Sequence, residues 1–376
     1  MVTVIFRNIW RTIFLNTSCP IVLLLLNQTK TSLVQGLVPL EDDNSQFGIG
    51  NALKNFIETK FNIHRKLPLF PPENEIKRGF CSSSLKFEAR PYNPALPILY
   101  IVTPTYTRRE QIIELTRLSH TLLHVDNVIW VIGEDSETCS NLVRDLLHKF
   151  KMPYAHLTSP MPKMYLKEKY KPRGVASRRA GMEWILKNHD RSKVGIIYFA
   201  DDDNTYDLKL FEEIRQTKRV SVFPVGFVGS KGSPGITSPI VKSGKVIGFS
   251  DDWFASRVFP VDMAGFAVNV DFLAHRPNAS MPFWAGYEED VFLQSLDLKL
   301  SDFEPLADDC TKVLVWHTKT VSEKTPKIKL TKNQDSNLKP LMDDLIFKGM
   351  NILDTKSKNE LKECLNGEKC GKYSNV

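Results

Sequence analysis

Between Pro97 and Ala200, short apolar runs alternate with segments of helical periodicity, and few folds accommodate that order. Ile98–Val102, Asn127–Ile132, Tyr154–Leu157 and Val194–Ala200 each read as a strand buried on both faces. Arg108–Leu123, Glu137–Phe150 and Val175–Leu186 lie among them and read as helices; the first carries Ile112, Leu115, Leu118 and Leu122 as a stripe. Strands and helices of these lengths in this order specify βαβ units, hence an α/β chain with a mainly parallel sheet. In such sheets ligands bind beyond the carboxyl ends of the strands.

The last of these strands ends in Tyr198-Phe199-Ala200-Asp201-Asp202-Asp203-Asn204. Three adjacent carboxylates repel one another and are costly to gather without a cation. Hard divalent ions prefer oxygen ligands and bridge naturally to phosphate. In extended backbone Asp201 and Asp203 point one way and Asp202 the other, so no single ion need take all three. Arg173, in Lys171-Pro172-Arg173-Gly174, stands at a helix start, with Arg178 and Arg179 one turn in. A helix N-terminus with arginines suits an anion. Together these features point to a nucleotide diphosphate. No Gly-x-x-x-x-Gly-Lys-Ser/Thr motif occurs, which disfavours a P-loop nucleotidase.

Beyond residue 206 the pattern changes. Ser221–Val228, Val246–Phe249, Phe266–Val270 and Val313–Trp316 read as strands, and Gly229–Gly244 as a loop or hairpin region. Glu288–Leu296 and Leu341–Met350 read as helices. Before residue 97, Ile13–Leu26 is an apolar run preceded by Arg7 and Arg11, although Asn16, Thr17, Ser18 and Pro20 interrupt it. It has the form of a signal anchor or signal peptide, short of the roughly 20 apolar residues of an ordinary span. A proline-punctuated stem with a short helix at Asn51–Phe61 follows. The expected divisions are 1–30 as cytoplasmic tail and anchor (or signal peptide), 31–94 as stem and lead-in, 95–205 and 206–322 as two subdomains, and 323–376 as a C-terminal extension. Of the sequons at Asn16, Asn27 and Asn278, Asn278 is the best glycosylation candidate, because it follows Arg276-Pro277 in a loop. A formal charge of +7 on 376 residues permits a phosphorylated partner without demanding one, and no nucleic-acid partner is expected. Six cysteines are too few for a disulfide-built scaffold and show no zinc-finger spacing.

The chain resembles the galactosyl β-1,3-glucuronosyltransferases, inverting glycosyltransferases of family 43. The resemblance rests on Val102-Thr103-Pro104-Thr105-Tyr106, Pro172-Arg173-Gly174-Val175, the stretch Tyr198 to Tyr206, Phe259 to Val268, Gly286-Tyr287-Glu288-Glu289 and Val313 to Thr320, all in the family's order. It implies a Rossmann-like mixed sheet of the GT-A type with a smaller acceptor-binding half. It also implies transfer of glucuronate from UDP-glucuronate to a terminal galactose. Pro104, Tyr106 and Asp135 are then expected at the uracil. Arg173 and Arg178 serve the uridine and diphosphate, Asp201 and Asp202 contact the ribose and sugar nucleotide, and Asp203 carries Mn²⁺. His317 and Lys319 complete the donor side; Lys319 stands where arginine is usual, keeping charge but losing the planar fork. Glu289 is the expected base, with Asp290-Val291 in place of a Ser-Ser pair. Repulsion from Glu288 and Asp290 would raise its pKa. Trp253, Arg257 and Asp262 are the acceptor candidates. Thr237 falls where relatives acting on the proteoglycan linker have a glutamate, which leaves the acceptor open. The family further implies a type II Golgi membrane protein with a lumenal catalytic domain, and a homodimer. Cys364 and Cys370 either pair there or stay reduced. Two other functions suit the same residues: a UDP-xylose-using xylosyltransferase of the same family, told apart by donor choice, and a non-catalytic glycan-binding scaffold, told apart by binding without turnover. A metal-dependent phosphohydrolase would instead release phosphate or UMP without an acceptor.

Overall fold

The computed structural model describes residues 67–228, 235–251, 256–320, 337–349 and 356. All lie in the larger of the chain's two compact units, residues 52–376. The apolar run at 13–26, the sequons at Asn16 and Asn27, the helix expected at 51–61, Trp253, Cys364 and Cys370 fall outside the described residues. Among the described residues no helix is long and apolar enough to cross a membrane.

An eight-stranded sheet organises the unit. It comprises β1 (Gly79–Ser84), β2 (Ile98–Thr105), β3 (Val128–Glu134), β4 (Tyr154–Thr158), β5 (Gly195–Phe199), β7 (Val220–Val222), β11 (Phe266–Asn269) and β12 (Phe303–Pro305), in the order β1-β4-β3-β2-β5-β11-β7-β12. Strands β2 to β5 are parallel, with Tyr100 opposite both Ile129 and Ile197. Strand β11 runs antiparallel to both β5 and β7, making the sheet mixed. Both faces are covered, which is why β2, β3, β4 and β5 are apolar nearly throughout. Tyr100, Val102, Val131, Ile197 and Phe199 face one core. Leu99, Ile101, Trp130, Ile132 and Tyr198 face the other.

Helices α1 (Gln111–Leu122), α2 (Asn141–Phe150) and α3 (Val175–Asn188) make the crossovers. Ser140 caps α2 by accepting the Val143 N–H, 3.3 Å away. Helix α3 lies very close to the sheet. A Cβ on Gly181 would come within 2.7 Å of Val102, and one on Gly133 within 2.7 Å of the Ser177 Cβ.

The expected strand at 221–228 is in fact two. Strand β7 ends at Val222, and β8 (Val225–Phe227) belongs to a second, five-stranded sheet. Pro224 lies between them and has no N–H to extend a ladder. The second sheet contains β8, β9 (Ile236–Lys242), β10 (Lys245–Ser250), β13 (Val315–His317) and β6 (Thr205–Tyr206). The glycine-rich region thus yields a β9–β10 hairpin, turned at Ser243 (φ 51°) and Gly244 (φ 69°), the positive-φ pair of a type I′ turn. Further helices among the described residues include α4 (Leu208–Ile214), α5 (Val270–Ala274), α6 (Glu288–Ser295) and α7 (Leu338–Phe347). Neither α4 nor the edge strand β1 was expected from the sequence. A Cys81–Cys139 disulfide ties β1 to the approach of α2.

Candidate active site

The carboxyl ends of β2, β3 and β5 and the start of α3 converge on the acidic triplet, and its three carboxylates have different fates. Asp202 is buried and turned inward. The Thr105 hydroxyl donates to its Oδ2 at 2.7 Å and Arg108 donates to its Oδ1 at 2.7 Å, locking the end of β5 to the end of β2. Burial raises its pKa and Arg108 opposes the rise. Asp201 accepts from Arg178, a buried guanidinium that also donates to the Arg173 carbonyl at 3.3 Å. Asp203 has neither a hydrogen bond nor an ion pair to its carboxylate among the described residues. Burial, then Asp201 and Asp202, push its pKa up to about 6. An under-compensated oxygen donor of this kind suits a hard divalent cation. Among the described residues no three His, Cys, Asp or Glu side chains are grouped to hold a metal. A cation at Asp203 would therefore share its coordination with a bound ligand or water.

Around the triplet, the Tyr106 ring is 40% exposed, with the guanidinium groups of Arg108 and Arg173 at 4.6 and 5.4 Å from its centroid. Pro104 abuts the α3 N-cap: a Cβ on Gly174 would lie 3.1 Å from its own. Gly174 has φ of 75°, so a side chain there would be strained as well as crowded. The Asp135 N–H donates to the Thr105 carbonyl at 2.8 Å, and its Oδ1 accepts the Met161 N–H at 2.7 Å. The expected base-side residues therefore share one rim. Opposite them, Thr318 donates its hydroxyl to the Asp203 carbonyl and its N–H to Asn204 Oδ1 at 3.2 Å, anchoring the end of β13 beside the triplet. His317, on β13, bonds through Nδ1 to Asp262 Oδ2 at 3.0 Å. That carboxylate raises the imidazole pKa to about 9, so Nδ1 carries a proton and donates. Lys319 is exposed.

Glu288, Glu289 and Asp290 open α6. The Glu289 pKa is raised by burial first, then by Glu288 and Asp262. Glu288 is also raised by burial, with the nearby Arg178 opposing. The expected repulsion from Asp290 is replaced by repulsion from Asp262. Asp290 turns away and accepts the N–H groups of Val258 and Phe259.

Of the expected acceptor residues, Arg257 is held by Asp251, both side chains being largely buried. Thr237 lies within β9 rather than in an open loop, buried and directed at backbone carbonyls. Asn278 is exposed in the loop after α5. The sequence reading missed Thr105, Arg108 and Thr318. Arg108 follows the Pro-Thr-Tyr motif by two residues, and its position just after a strand end was the available signal. A second buried pair also escaped it: His156 Nε2 lies 2.8 Å from Glu134 Oε2, behind Asp135.

A Rossmann-like mixed sheet that gathers an acidic triplet, arginines and a raised-pKa glutamate at its strand ends has the architecture of the GT-A glycosyltransferases. The chain belongs to glycosyltransferase family 43, whose model matches residues 118–321. It is 50% identical over 258 residues to galactosylgalactosylxylosylprotein 3-beta-glucuronosyltransferase S of Drosophila melanogaster, covering 68% of this chain and 62% of that one. It is 49% identical over 226 residues to form P of the same organism, covering 60% and 46%. With form 2 of Rattus norvegicus it shares 42% over 244 residues, covering 62% and 73%. The match thus spans less than two thirds of the length of the two Drosophila relatives.

Proposed function

We propose that this chain transfers glucuronate from UDP-glucuronate to the 3-hydroxyl of a terminal galactose, with inversion. The supporting observation is the gathering of two charge sets at one place: Asp203, whose carboxylate is unpaired among the described residues, with Arg178 and a protonated His317, and a glutamate held above its ordinary pKa at the start of α6. In this reading Glu289 takes the proton from the acceptor hydroxyl while that oxygen attacks the anomeric carbon. The bond from that carbon to the diphosphate breaks, and UDP leaves with the electron pair. A single displacement converts the α-linked donor into a β-linked product. A base needs a pKa near the working pH to be effective, and burial beside Glu288 and Asp262 moves Glu289 that way. Arg178 and His317 receive the developing negative charge on the diphosphate, with Lys319 at the rim. Tyr106, Pro104, Asp135 and Arg173 frame the uridine, and Asp201 holds a sugar hydroxyl; the expected contact of Asp202 with the sugar nucleotide gives way to a structural role, because Thr105 and Arg108 take both its oxygens. Asp203 would hold Mn²⁺, which would supply charge neutralisation for the leaving diphosphate.

The names of the relatives favour the proteoglycan linker as acceptor, with Trp253, Arg257 and Asp262 on that side. The basic and apolar N-terminus supports a type II Golgi anchor, and the Cys81–Cys139 disulfide suits an oxidising lumen. A homodimer and a glycan at Asn278 complete the proposal. UDP release should require a galactose acceptor, prefer UDP-glucuronate over UDP-xylose, and stop when Mn²⁺ is chelated. Equal use of UDP-xylose would shift the reading to a xylosyltransferase. Calorimetry of UDP binding with and without Mn²⁺ should show the metal-dependent part lost in Asp203→Ala. Metal-dependent binding that survives in the folded variant would remove Asp203 from that role.

A further inference from the structure

Thr237, in the expected acceptor region, and Asp290, beside the expected base, both depart from the family pattern, and they converge on one short segment. Asp290, fully buried on α6, accepts the Val258 N–H at 2.9 Å and the Phe259 N–H at 2.7 Å on a single oxygen, Oδ1. Thr237, also buried, places its hydroxyl 3.4 Å from the Pro260 carbonyl and 3.3 Å from that of Ser250. Three consecutive residues, 258 to 260, are thereby held by side chains from two different elements. Between these holds the Phe259 ring packs against Phe249 and Phe303, with centroids 6.2 and 5.0 Å away. The segment is flanked by Arg257, paired with Asp251, and by Asp262, paired with His317.

We propose that Asp290 and Thr237 are positioning residues that set the 257–262 segment against Glu289 and so determine which acceptor fits. The inference rests on the reading above that this segment faces the acceptor. Glu289 and Asp290 are consecutive, so one helical turn carries both the base and the attachment of the acceptor wall. Deleting this carboxylate strands two backbone N–H groups, at least one of them buried. A shift of an ångström in the wall would misplace the acceptor hydroxyl relative to the base. The donor site meets this segment at the Asp262–His317 pair, past the held residues 258 to 260, and would be less affected.

The test compares Asp290→Ala, Asp290→Asn and Thr237→Val with the wild type, in the full chain, using a galactose-terminated disaccharide. Asp290→Ala should raise the acceptor KM on the order of tenfold, with donor KM unchanged within about twofold. Asp290→Asn should restore most of the loss, since an amide oxygen can accept both N–H groups. Hydrogen exchange in residues 256–262 should accelerate in Asp290→Ala and not in Asp290→Asn. If Asp290→Ala fails to fold, Thr237→Val carries the same expectation of a raised acceptor KM with donor KM held. An unchanged acceptor KM, a parallel rise in both KM values, or no rescue by asparagine would overturn the proposal. A wild-type protein that transfers nothing to galactose would overturn the function itself. An active wild type with unaffected variants would overturn only this inference.

Discussion

Glu288 and Glu289 share one helical turn, yet Glu288 is the more buried and their neighbours differ. Arg178 opposes the rise at both, but Glu289 also meets repulsion from Glu288 and Asp262. Glu289→Gln should therefore cost about 10²–10⁴-fold in kcat while leaving UDP affinity intact. Glu288→Gln should cost far less; a reversed order of effects would exchange the two roles. Because Glu289 works as a base from a raised pKa, the rate should climb with pH through a midpoint above the ordinary glutamate range. His317 gives a second titration with an opposite partner. Its pKa of about 9, against an ordinary 6.5, means that its bond to Asp262 stabilises the fold fully below pH 6.5. That contribution is lost as pH rises through about 9. NMR titration of the imidazole should show this midpoint in the metal-free chain, and Asp262→Asn should return it towards 6.5. A wild-type midpoint already near 6.5 would contradict the pairing. Neither partnership was legible in the sequence. His317 and Asp262 are 55 residues apart, and Arg108 and Asp202 are 94 apart, so only the fold joins them. The triplet and Arg178 were legible because they stand at the end of an apolar strand and the start of a helix, whereas Glu289 was singled out through the family motif alone.

At the scale of elements, the close approach of α3 to the sheet is what aims Arg178 at the site. Alanine at 133 would place its Cβ 2.7 Å from the Ser177 Cβ and 3.0 Å from that residue's backbone. Gly133→Ala should therefore destabilise by about 1–3 kcal/mol in urea unfolding. Gly248→Ala, with its nearest neighbour at 3.9 Å, serves as a control and should be close to neutral. An equal effect of the two would refute the packing argument. The Cys81–Cys139 bridge closes a separation of 58 residues. Replacing both cysteines by serine should cost about 2–4 kcal/mol, read as an earlier denaturant midpoint. No change in midpoint would show that β1 is held without the bridge. The four parallel strands were legible since burial on both faces makes them continuous apolar runs. Strand β1 was not, because Phe-Cys-Ser-Ser-Ser at a sheet edge carries little hydrophobic signal. The division of 221–228 between two sheets was equally hidden: both pieces are apolar, and which sheet each joins is settled by tertiary pairing.

For the whole molecule, the half that carries the acidic triplet reads from sequence because strand ends fix where side chains must gather. The other half depends on the hairpin β9–β10, the 257–262 segment and α6 coming together, which no local pattern specifies. The central claim is a single inverting displacement run by Glu289. Its most direct measurement incubates the chain with UDP-glucuronate, Mn²⁺ and a Gal-β1,3-Gal acceptor beside a Gal-β1,4-GlcNAc acceptor, and reads the product's anomeric configuration and linkage by NMR. The expected result is a β-1,3-linked glucuronate on the terminal galactose, stronger with the first acceptor, and no product above background from Glu289→Gln that still binds UDP. An α-linked product, UDP released without an acceptor as the main reaction, or full activity in folded Glu289→Gln would contradict it.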